Sequence, residues 1–134
     1  MARLDEADII WMGGGAVGYL MYWLRRHALD KTLPQILDQD KIYIGSSAGS
    51  MVAGPSLSVC EWNIGDVELG ASFIPGFGLV DFEIYPHFRD DQLTEIKKLR
   101  KQHPTKFPLY LLKDGEVIIK DGGEIKFFGE ERKI

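Results

Sequence analysis

The segment Gly45-Ser46-Ser47-Ala48-Gly49 sets a hydroxyl between two glycines, directly after the apolar run Ile42-Tyr43-Ile44. A Gly-x-Ser-x-Gly pentapeptide between a buried strand and a helix is the setting in which a serine becomes a nucleophile. The turn is too tight for side chains at 45 and 49. Ser47 must take a strained backbone conformation that holds its hydroxyl out at the carboxyl end of the strand. A helix beginning at Ala48 aims unpaired amides, the Ala48 N–H among them, at the same space, where they favour a developing negative charge. Gly/Ser-rich strand–helix turns also serve for close packing or for binding phosphate. Ser46 is a second hydroxyl, but it fits this register poorly.

A serine nucleophile needs a base. The chain has three histidines, His27, His87 and His103. His27 follows Arg25 and Arg26 at the end of a helical pattern, and His103 precedes Pro104 at the end of another, so both read as surface or capping residues. His87 follows Pro86 just beyond a short apolar run, where active-site loops gather at sheet ends. A third group should orient the imidazole. Between the serine and the histidine the candidates include Glu61 and Asp66, in an irregular stretch, and Glu83, which reads as part of a strand. Glu61 is preferred, with Asp66 as the alternative acid. Gly13-Gly14-Gly15, after the run Ile9-Ile10-Trp11-Met12, could face the Ser47 turn and supply the second oxyanion donor from Gly14 or Gly15. It could equally form a phosphate nest. Gly13, Gly15 and Gly18 formally match a dinucleotide fingerprint, but no acid ends a second strand at the required distance. No metal-ligand spacing is present, so neither a metal nor another cofactor is expected.

The elements that must position these residues alternate. The runs at 9–12 and 41–45 read as strands buried on both faces. Val17, Leu20, Met21 and Leu24 recur at helical spacing. Pro34 suggests the first turn of a short helix over 32–37. Glu83-Ile84-Tyr85 predicts a short strand. Residues 90–102 predict a charged surface helix, with Leu93, Ile96 and Leu99 inward and Asp90 or Asp91 as cap. Runs at 108–112, 116–120 and 124–128, separated by Lys113-Asp114-Gly115 and Asp121-Gly122-Gly123, predict a closing antiparallel meander.

The chain has 134 residues, enough for a single domain over 1–134. Its net charge of −4 argues against a nucleic-acid partner held through phosphates. One cysteine, Cys60, excludes an internal disulfide. The apolar runs are far too short to span a membrane, and Met1–Glu6 does not read as a signal peptide, so a cytoplasmic protein is expected. A parallel sheet of so few strands has a marginal core and an open edge, which predicts a homo-oligomer, most simply a dimer.

Ile10–Gly15, Ile42–Ser50, Gly54-Pro55, Tyr85-Pro86-His87-Phe88 and the closing strands from Leu109 to Gly129 together resemble the peptidase E and cyanophycinase-like serine peptidases, in order and spacing, over nearly the whole chain. The resemblance implies an α/β fold of three layers, with a mainly parallel central sheet like that of the class I glutamine amidotransferases. It would be truncated at its N-terminus and end in antiparallel strands. It also implies Ser47 as nucleophile, His87 as base, and oxyanion amides at Ala48 and at Gly14 or Gly15. Members of the family hydrolyse the bond after an N-terminal aspartate in dipeptides, or a β-Asp-Arg polymer, so a small peptide substrate is expected. The chain departs from the family pattern at Ala16, where asparagine is usual, and at Trp62, which takes the register of the peptidase E aspartate and leaves the adjacent Glu61 to serve. Relatives also carry a further stretch before the position of Met1, including the first strands of the sheet. The other readings are a self-associating scaffold of the same fold without activity, and an amidase or esterase using the same elbow.

Overall fold

A computed structural model describes residues 4–38, 40–62 and 75–134, apart from the side chain of Glu61. Strand β1 (Ile9–Met12) leads through the glycine loop into helix α1 (Val17–Arg26), then helix α2 (Leu29–Leu37), strand β2 (Ile42–Gly45) and helix α3 (Ala48–Ala53). Strand β3 (Glu83–Tyr85) follows, then a 3-10 turn at Asp90–Gln92, helix α4 (Leu93–Gln102), strand β4 (Leu109–Leu111) and the strands β5 (Val117–Asp121) and β6 (Glu124–Phe128).

The described strands form three pairs. β1 runs parallel to β2, with Ile9 opposite Ile42 and Met12 opposite Gly45. β3 runs parallel to β4, with Glu83 opposite Leu109. β5 and β6 form an antiparallel hairpin. The expected meander of three strands is therefore corrected. β4 is joined to β3 through α4, as a parallel neighbour must be, since such a connection needs a crossover rather than a tight turn. Among the described strands 117–128 forms the antiparallel hairpin, and the tail at Lys133 bridges antiparallel to Tyr110 of β4.

Two further expectations change. The β1–β2 pair is buried on one face only: Ile10 is buried, whereas Ile9, Trp11, Ile42 and Ile44 are exposed. Helix α2 begins at Leu29, not Thr32, because Ala28 at φ 57° turns the chain sharply out of α1 and lets the new helix start at once. Pro34 consequently lies inside the helix, where it has no N–H for the carbonyl four residues back. The start of α4 is organised by Gln92, whose side-chain oxygen accepts the Arg89 N–H at 2.9 Å, rather than by Asp90 or Asp91.

Three apolar clusters hold these parts together. Val17, Met21 and Leu24 of α1 pack on Ala48 and Val52 of α3. Tyr85, Phe88, Ile96, Leu109 and Leu111 join β3, β4 and α4. Phe82, Ile84 and Tyr110 receive the hairpin through Ile118, Ile125 and Phe127. Burial on this scale, about 25 cal/mol per Å² of apolar surface, is the main driving force. Among the few polar side chains inside is Glu83, which accepts hydrogen bonds from Ser56, Ser58 (2.9 Å), Thr105 (3.2 Å) and Arg100 (2.7 Å). This satisfied knot ties β3 to α4 and to the chain leaving α3. No helix among the described residues is long and apolar enough to cross a membrane.

Candidate active site

The carboxyl ends of β1 to β4 converge, and the chemistry-bearing residues sit just past them. Ser47 follows β2 at φ 53°, ψ −119°, a region an L-residue enters only when its surroundings force it there. The forcing is visible. The Gly49 N–H donates to the Gly13 carbonyl at 2.9 Å, the Ser46 N–H to the Met12 carbonyl at 2.9 Å, and the Tyr43 hydroxyl to the Gly49 carbonyl at 2.6 Å. Burial raises the Tyr43 phenol well above its ordinary pKa, so this hydroxyl stays a donor. A Cβ at Gly49 would overlap the Met12 carbonyl oxygen, and one at Gly45 would come within 2.6 Å of the Gly49 oxygen. Gly14 lies against the serine: a Cβ built there would be 3.3 Å from the Ser47 Cβ and 3.5 Å from its Oγ.

These contacts make a direct test. Gly49→Ala is expected to cost about 3 kcal/mol of stability, since both sides of the contact are backbone and cannot rotate away. Gly13→Ala, with open space around its Cβ, is the comparison that should stay near the parent. Chemical denaturation of the two variants checks the difference.

His87 follows β3 with φ 58°, also in the left-handed region. Its Nε2 lies 2.9 Å from Ser47 Oγ, and its Nδ1 lies 2.6 Å from Asp114 Oδ1. A carboxylate only accepts, so the Nδ1–H donates to Asp114 and Nε2 is left to accept the serine hydroxyl. The remaining histidines sit elsewhere: His27 stacks on Trp23 at the end of α1, and His103 ends α4.

Among the described residues, the carboxylate on the imidazole is that of Asp114, which follows β4 and not the serine. Glu61 ends a short 3-10 turn and its side chain lies outside the described residues, as does Asp66 altogether. Glu83, buried against Arg100, faces away from this chemistry. Lys113-Asp114-Gly115 reads as a plain turn when the last strands are taken as a meander. The available signal was the strand–helix–strand order of 83–111, which makes β4 parallel to β3 and brings the residues after 85 and after 111 to one edge.

The Asp114 turn is braced by Glu116. Its carboxyl is held down to about 2, first by the hydrogen bond from Arg132 and further by the backbone N–H groups of Lys113 and Glu130. Because the folded state favours the ionised form, the stabilisation is complete above the ordinary carboxylate range. It is lost as the pH falls from about 4.5 toward 2. Denaturation midpoints of the parent and Glu116→Gln are expected to differ at pH 7 and to converge as the pH approaches 2.

Among the described residues no group of three His, Cys, Asp or Glu side chains is placed to hold a metal ion. An open cavity of about 300 Å³, lined by residues including Pro55, Leu79, Phe107 and Lys120, contains none of Ser47, His87 and Asp114.

Comparison with known proteins gives a consistent answer. The model of peptidase family S51 matches residues 1–128. An uncharacterized peptidase of Listeria monocytogenes is 26% identical over 125 residues, covering 92% of this chain and 61% of its own. Peptidase E of Streptomyces coelicolor is 37% identical over 93 residues, 67% of this chain and 36% of that protein. A crystal structure of a Listeria monocytogenes protein provisionally named Peptidase E superposes with a TM-score of 0.73 at 25% identity, over 93% of this chain and 61% of the other. The chain thus spans about three fifths or less of the length of these relatives.

Proposed function

Since the chain belongs to peptidase family S51, we propose that it hydrolyses a peptide bond by acyl transfer through Ser47, with His87 as general base and Asp114 orienting it. The observation that carries this reading is the unbroken relay from Ser47 Oγ to His87 Nε2 (2.9 Å) and from His87 Nδ1 to Asp114 Oδ1 (2.6 Å). Ser47 Oγ bonds to the scissile carbonyl carbon while its proton passes to His87 Nε2. The carbonyl oxygen becomes an oxyanion and takes hydrogen bonds from the Ala48 N–H, at the start of α3, and from an amide of the Gly14–Gly15 loop. His87 returns the proton to the departing amine. Water then repeats the sequence on the acyl ester and frees Ser47.

Short peptides with an N-terminal aspartate are the first substrates to assay, as the resemblance to peptidase E implies. The three-layer arrangement of the class I glutamine amidotransferases, a homodimer and a cytoplasmic location complete the proposal. Convergence of both parallel pairs on one site supports the first of these, and sedimentation tests the second.

The deciding experiment is covalent labelling with a serine-directed phosphonate, alongside turnover of an Asp-X peptide panel. One adduct mapped to Ser47, with Asp-X cleavage, is the expected result. Cleavage of esters or amides alone moves the reading to an esterase or amidase. Absence of both labelling and turnover overturns it in favour of a scaffold.

A further inference from the structure

We propose that Glu116 and Arg132 are positioning residues that lock the 113–116 turn so that Asp114 stays on His87. This inference rests on the hydrolytic reading of Ser47, His87 and Asp114.

Asp114 cannot hold its own place. Its side chain is 82% exposed and that of His87 61%. Pairs so open to solvent are weak, because water competes for both partners. The constancy of the contact must come from the backbone beneath it. That backbone is a turn on Gly115, which has φ 87°.

Glu116 closes the turn from both sides. Its N–H donates to the Lys113 carbonyl at 3.1 Å, and its Oε2 accepts the Lys113 N–H at 2.9 Å. The same Oε2 accepts Arg132 Nη1 at 2.6 Å, and Oε1 accepts the Glu130 N–H at 3.2 Å. Arg132 in turn donates from Nη2 to Glu130 at 2.7 Å, and its guanidinium stands 5.6 Å from the centre of the Phe88 ring. Phe88 is the residue after His87, and its N–H donates to the Leu112 carbonyl at 2.9 Å. The Glu116–Arg132 pair, only 15% and 13% exposed, therefore touches both the turn that carries Asp114 and the loop that carries His87. Lys113 Nζ is paired with Asp90, on the His87 side, at 2.7 Å. A pair that merely fastened the tail to the hairpin would not need to reach Phe88, the neighbour of His87.

The test is a double-mutant cycle on the full chain. Glu116→Ala is expected to lower kcat about tenfold to a hundredfold, the effect of a misplaced catalytic partner. KM should change less than about twofold. In an Asp114→Ala background the same substitution should lower kcat by less than about twofold, because the residue through which Glu116 acts is gone. Equal losses in the two backgrounds, or an unchanged kcat in the single variant, would overturn the proposal. Glu116→Gln, which keeps size and an acceptor oxygen, replaces the alanine variant if circular dichroism shows that variant unfolded.

A second readout is independent of turnover. The ¹⁵N shifts of the neutral His87 ring report which nitrogen bears the proton. The proton is expected on Nδ1 in the parent, on Nε2 in Asp114→Ala, and on a mixture of the two in Glu116→Ala. An unchanged Nδ1–H form in Glu116→Ala refutes the positioning role. Turnover that survives Ser47→Ala would instead refute the hydrolytic reading, so the two failures are distinct.

Discussion

Ser47→Ala is expected to reduce kcat for an Asp-X peptide by about a millionfold, the loss seen when a serine nucleophile is removed from an intact relay. KM should move little, because the hydroxyl contributes to the bond being made and not to holding the substrate. The size of the loss follows from interdependence. With no hydroxyl at 47, the proton that His87 Nε2 is placed to accept at 2.9 Å no longer exists, so histidine and Asp114 lose their roles together. What remains is whatever the Ala48 and glycine-loop amides achieve for water attack. Ser46→Ala is the internal control. Its side chain neighbours the nucleophile but is exposed, and it takes no part in the relay. Steady-state kinetics of both variants, on preparations of equal purity, check the prediction. Comparable turnover in Ser47→Ala and the parent sinks it.

Asp114→Asn carries the second largest expected loss, about a thousandfold to ten-thousandfold in kcat. The amide preserves shape but presents both an acceptor and two donors to Nδ1. When it donates, the ring proton is forced to Nε2, and the serine then faces an N–H that cannot take its proton. The exposure of Asp114 lets water share the carboxylate's work, which places the expectation below the loss for Ser47. Glu61→Gln belongs in the same experiment. If the carboxylate that matters lay between the serine and the histidine, that variant would suffer the larger loss; the 2.6 Å contact at Nδ1 predicts that it keeps near-parental activity.

The serine turn was legible because its chemistry is local: two glycines, a strand behind and a helix ahead impose the strained geometry within five positions. The position of His87 beside Ser47 was legible from its place after a proline at a strand end. The placing of Asp114 on the imidazole was not, because it depends on β4 running parallel to β3, and a three-residue strand carries no sign of its direction. Burial of the β1–β2 pair was overestimated for a related reason. Ile9, Trp11, Ile42 and Ile44 are apolar enough for an interior, and only the packing shows one face open. The bracing by Glu116 and Arg132 joins residues sixteen positions apart on a turn and a tail, where composition is uniformly charged and carries no pattern.

Ser47 belongs to the β1–β2 half of the molecule, whereas His87 and Asp114 both belong to the β3–β4 half. The two halves meet where Gly54, at the end of α3, lies so close to the Phe82 carbonyl that an added Cβ would stand 2.9 Å from that oxygen. The proton transfer proposed above would thus take place across a joint. Reactivity should respond to anything that wedges or tightens that joint, even from residues that never meet a substrate, and directed evolution could use it as a tuning screw.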